Sequence, residues 1–67
     1  MLFTFNKNFY NLQAVKSTVK AYRELADFKV EEDHKIIKVR VKNVDEEAKD
    51  VIEDEFCNYV LAEMKNG

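Results

Sequence analysis

The segment Ile36-Ile37-Lys38-Val39-Arg40-Val41-Lys42 constrains the fold more than any other part of the chain. Successive side chains of a strand point to opposite faces, so Ile37, Val39 and Val41 share one side while Lys38, Arg40 and Lys42 share the other. Such a strand needs an apolar cover on one face and water on the other, which is met by a sheet with helices on a single side. The chain has 67 residues, enough for one small core and too few for a second. We read residues 1–67 as a single small α+β domain, and its monomer is expected to be only marginally stable because a core this thin buries little.

The neighbouring segments complete the pattern. Leu2-Phe3-Thr4-Phe5 alternates two aromatics with other residues and stops at the polar cluster Asn6-Lys7-Asn8, which predicts a short strand and a turn. Asn11 suits a helix N-cap, Tyr10 before it suits a hydrophobic staple on Val15, and Leu12, Val15, Val19, Tyr22 and Ala26 repeat at helical spacing. The first helix is therefore expected at 12–26. After Asp27, Phe28 and Val30 alternate with Lys29 and Glu31, predicting a strand that enters a hairpin through Glu32-Asp33-His34-Lys35. With no glycine in that turn, a loop wider than the tight primed type is expected. Asn43 or Asp45 can cap a second helix, whose early carboxylates suit the positive end of the helix dipole, and it should run to Met64 with the last three residues fraying.

The resulting order is β-α-β-β-α. A right-handed crossover and the central placement of the most β-branched strand predict a three-stranded antiparallel sheet of order 1-3-2, with two helices packed on one face and the other face open. The inner layer would be Phe3, Phe5, Phe28, Val30, Ile37, Val39 and Val41 against the two helix stripes.

Charge is divided along the chain. Residues 1–30 carry five basic and two acidic groups, whereas residues 31–67 carry six basic and eleven acidic ones. Seven carboxylates between Asp45 and Glu55 argue against a protein wrapped in nucleic acid on all sides. A local basic face is a separate matter: Lys29, Lys38, Arg40 and Lys42 should project together beside Thr4 and could contact phosphates. The aromatics Phe3, Phe5 and Phe28 should point inward, so that face lacks stacking platforms, and a solvated face that discourages edge pairing is the plainer reading.

Catalytic signals are sparse. His34 lies beside Asp33 in a hairpin loop, with no nucleophile or oxyanion donor placed nearby by the pattern. Cys57 lies in an apolar helical stripe, where a thiol serves as packing, and no second cysteine stands at ligand spacing. Gly67 is the only glycine, so a glycine-rich phosphate loop is excluded. The expectation is a non-enzyme without metal or cofactor. One cysteine, no leader-like start and no long apolar run point to a cytoplasmic protein rather than a secreted or membrane one.

The second helix carries the strongest interaction signal. Ala48, Val51, Ile52, Phe56, Tyr59 and Val60 form the expected stripe, and Cys57, Leu61 and Met64 extend it around the last turns. Either the first helix wraps that side or a partner covers it. We expect a small non-catalytic protein-interaction module, a homodimer or a subunit bound to a larger protein, using Cys57, Asn58, Leu61 and Met64. An extended peptide added to an open strand edge is a related mode, and nucleic-acid binding through the cationic face is the alternative.

Two stretches carry a family resemblance: Tyr10-Asn11-Leu12-Gln13-Ala14-Val15 with Ala21-Tyr22, and Glu55-Phe56-Cys57-Asn58-Tyr59-Val60-Leu61. They resemble the small HxsD-type proteins of His-Xaa-Ser peptide-maturation systems, which share the length and the order of a tyrosine-led helix, a hairpin and a final helix around an asparagine. The family's motif ends in Leu-Arg-Glu, where this chain has Ala62-Glu63-Met64-Lys65. The resemblance implies a non-catalytic accessory of radical-SAM maturases that presents a precursor peptide, with Asn58 as the position to test.

Overall fold

A computed structural model describes residues 1–66. The chain folds as β1 (Leu2–Asn6), α1 (Leu12–Tyr22), β2 (Asp27–Glu32), β3 (Ile36–Lys42) and α2 (Lys49–Asn66). The sheet has order β1-β3-β2 and both pairings are antiparallel. The alternation of β3 determines this arrangement: Ile37, Val39 and Val41 are buried, while Lys38, Arg40 and Lys42 are exposed.

The core is layered as the inner-face residues require. Phe5, Ile37, Val39 and Val41 are buried with Ala14 and Val15 of α1 and Ile52, Phe56 and Val60 of α2, and Phe3, Phe28 and Val30 pack half-buried against them. Phe56 is the hub. Its ring centroid lies 4.7 Å from Phe3, 5.7 Å from Phe28, 6.2 Å from Phe5 and 5.7 Å from Tyr22, so one helical side chain joins both outer strands and the other helix. Thr18, absent from the expected stripe of α1, is fully buried; its hydroxyl donates to the Ala14 carbonyl at 2.8 Å, which removes the cost of burying it.

Local hydrogen bonds explain the element boundaries. Asn11 caps α1: its backbone is extended and its Oδ1 accepts from the Ala14 N–H at 2.7 Å. The helix ends at Tyr22 rather than Ala26, because the Leu25 N–H turns back to the Tyr22 carbonyl and the Leu25 carbonyl accepts from the Asp45 N–H, both at 2.9 Å. That second bond ties the exit of α1 to the approach of α2, and β2 is then free to start at Asp27 opposite Lys42.

The second helix starts later than its sequence suggests. Asn43 has a left-handed backbone with φ 53°, whereas an N-cap needs an extended one; it serves instead as a corner whose side-chain amide donates to Asp27. Asp45 caps a lead-in turn, accepting from Glu47 through its side chain and from Ala48 through its carbonyl. The helix proper begins at Lys49 and includes Lys65 and Asn66, which were expected to fray. Gly67 lies outside the described residues.

Phe56→Ala should remove about 3–5 kcal/mol of stability, a large share of what a domain of this size possesses. Denaturant titration should find the variant mostly unfolded in buffer, with Phe56→Leu still folded at a lower midpoint.

Candidate interaction surfaces

The open face of the sheet follows directly from the register. Lys29 lies opposite Arg40, Glu31 opposite Lys38 and Asp27 opposite Lys42 on the β2 side, while Leu2 lies opposite Arg40 and Thr4 opposite Lys38 on the β1 side. Lys29, Lys38, Arg40 and Lys42 thus share one exposed face, as the alternation predicts. Two carboxylates stand among them. Glu31 reaches diagonally to Arg40, with Oε1 accepting from Nε at 2.8 Å, and this contact offsets the direct opposition of Lys29 and Arg40. The hydrogen bond and charge of Arg40 hold the Glu31 carboxyl below its usual range. A shallow cleft of about 460 Å³ runs along this side, lined by Asp27, Phe28, Lys29, Glu31, Arg40 and Lys42. A phosphate approaching it meets both signs of charge. Glu31 was visible in the sequence on the face of Lys29; its capture of Arg40 depends on the register and was not.

The hairpin loop is built by Asp33. Its Oδ1 accepts from the Lys35 N–H at 2.7 Å and the Ile36 N–H at 2.8 Å, and its own N–H donates to the Ile36 carbonyl. Asp33 faces Ile36 with only His34 and Lys35 between them, so the loop is shorter than the sequence suggests; the Asp33 side chain closes it with neither His34 nor Lys35 in a left-handed conformation. Those two N–H groups hold the Asp33 carboxyl below its ordinary range, and His34 beside it is exposed.

The last turns of α2 divide their apolar residues. Cys57 and Met64 are half-buried against the core, and burial pushes the Cys57 thiol up, which makes it a poor nucleophile. Leu61 is 43% exposed beside them. The side-chain amide of Asn58 is exposed and donates to the Asp54 carbonyl one turn back at 3.3 Å. The scaffold therefore absorbs part of this stripe and leaves Leu61 at its margin. On another side of the helix Tyr59 meets Tyr22 edge to face at 5.4 Å. Burial, then the charge of Glu55 and the presence of Tyr59, raise the Tyr22 hydroxyl.

Among the described residues no three His, Cys, Asp or Glu side chains converge to hold a metal ion, and no helix is long and apolar enough to cross a membrane. No protein-family model matches the chain, and no curated protein or solved structure is significantly similar to it.

The exposed Glu31 and Asp33 carboxylates have lowered native pKa values, so their stabilisation is complete above the ordinary carboxylate range and is lost as pH falls through it to the native values. Thermal melts between neutral pH and pH 3, roughly, should show the melting temperature falling less in Asp33→Ala and Glu31→Gln than in the unaltered chain, because each variant has already lost its share.

Proposed function

We propose that the chain is a small, non-catalytic protein-interaction module of the cytoplasm, acting as a self-associating protein or as an accessory subunit of a larger one. The observation that supports this most directly is Leu61, left exposed at the margin of the half-buried Cys57 and Met64 on the last turns of α2. A side chain in that position contributes little to its own fold and adds apolar area to any partner seated on the helix. Asn58 lies on the same turns with an exposed amide, able to supply a polar contact at the rim. On the HxsD-type resemblance, the larger protein is a radical-SAM maturase and the module presents its precursor peptide.

Nucleic-acid binding is the second reading, favoured by the grouping of Lys29, Lys38, Arg40 and Lys42 on one exposed face. The interleaved Asp27 and Glu31 reduce its attraction for phosphate, and the inward placement of Phe3, Phe5 and Phe28 gives bases little to stack on.

Salt separates the two readings, because phosphate binding weakens steeply with ionic strength and apolar docking does not. The tagged chain, purified from its native cells at high salt, should retain a stoichiometric protein partner. Leu61→Asp should release that partner while leaving circular dichroism and melting temperature close to those of the unaltered chain. An association that dissolves in salt and depends on Lys38 and Arg40 would favour the nucleic-acid reading instead.

A further inference from the structure

The two free edges of the sheet are chemically unlike. β2 carries Asp27, Lys29, Glu31 and Glu32, the charged pattern by which edge strands resist pairing, whereas Leu2–Asn6 of β1 contains no charge and no proline. Main-chain hydrogen bonds set the phase of the β1 edge. Met1 and Val41 exchange bonds of 2.8 and 3.2 Å, and the Lys7 N–H donates to the Lys35 carbonyl at 2.9 Å. Antiparallel ladders alternate bonded and unbonded pairs, so Phe3 and Phe5 face β3 while Leu2, Thr4 and Asn6 direct their main-chain groups outward. The Asn6 carbonyl is already taken by the Phe9 and Tyr10 N–H groups. Among the described residues, both outward groups of Leu2 and both of Thr4 therefore remain for an added strand.

We infer that β1 of a second copy adds antiparallel to this edge, with the two-fold axis at Phe3, which deepens the interaction-module reading and rests on it. In this register Leu2 of each copy lies opposite Thr4 of the other, and the two pairs exchange four main-chain hydrogen bonds that use every outward group of both residues. Phe3, half-buried in one copy, meets its symmetry mate at the unbonded pair, where cross-strand side chains come closest. Leu2, 53% exposed on the open face, reaches the groove of about 240 Å³ lined by Thr4, Phe5, Asn6 and Ile36 in the other copy. Knob and groove belong to the same surface, so the contact is isologous and closes at two. The six-stranded sheet that results is bounded at both ends by the charged β2.

A strand edge this short falls below the ~1,200 Å² of a standard stable interface, so the dimer should be weak and concentration-dependent. Sedimentation equilibrium of the full chain across micromolar to millimolar concentrations should show monomer converting to dimer. Leu2→Lys, which places a charge beside the edge, should weaken dimerisation by ~10-fold or more with an unchanged circular dichroism spectrum. Thr4→Pro removes only an outward-facing donor and should do the same; if it unfolds, Leu2→Lys decides. Amide exchange at Leu2 and Thr4 should slow as concentration rises, while Phe28 and Val30 on the β2 edge stay fast. A monomer at every concentration, or unchanged exchange at Leu2 and Thr4, overturns the edge pairing and leaves docking through α2 standing. A dimer abolished by Leu61→Asp but retained by Leu2→Lys overturns the edge pairing while supporting the wider reading.

Discussion

The packing of Phe56 against Phe3, Phe5, Phe28 and Tyr22 is the contact on which the rest of the structure depends. The outer strands do not touch each other, since β3 lies between them. A single fully buried ring spans that gap from the helix layer and gives both strands a common apolar floor. Aromatic side chains bury the most area per residue and gain from offset and tilted geometries, which matters in a domain with so few core positions. Ile37, Val39 and Val41 of β3 are buried in the same core as this ring, so the central strand and the helix layer close it from both sides.

With the inner face sealed by aromatics, the outer face carries the polar chemistry. The β3 cations lie among Lys29, Glu31 and Asp27 of β2 on one side and the uncharged Leu2, Thr4 and Asn6 of β1 on the other. One flank of the sheet is thus electrostatically occupied and the other is not. The asymmetry has a sequence origin: β2 and β3 are joined by a hairpin and alternate in matched register, whereas β1 is built of Leu2, two phenylalanines and the uncharged Thr4 and Asn6.

Much of the architecture was legible because the strand alternation is clean and the helical spacing is sufficient, although Val51 and Tyr59, expected in the covered stripe of α2, are exposed. The alternation of residues 36–42 fixed a half-covered strand, and the helical spacing around Val15 and around Ile52, Phe56 and Val60 fixed two helices on its covered side. The errors lie where hydrogen bonds between distant segments override local pattern. Ala26 fits the stripe of α1, yet the Leu25 carbonyl is committed to Asp45. Asn43 has the chemistry of a cap, yet its left-handed backbone and its bond to Asp27 make it a corner. The interaction surfaces were only partly visible. Spacing grouped Cys57, Leu61 and Met64, but which of them the scaffold covers is decided by core packing. The free edge of β1 needed both the register and the phase of its bonds.

The position of β3 also bears on the order in which the parts can assemble. During synthesis β1 emerges first, but its only ladder partner follows the intervening helix and hairpin, Phe3 lying opposite Val39. At roughly 5–20 residues per second, the ribosome takes a few seconds to deliver that partner, while β2 and β3 can zip together locally as soon as their short loop is made. The least charged strand of the protein is therefore the one left waiting longest for the strand that completes its hydrogen bonds.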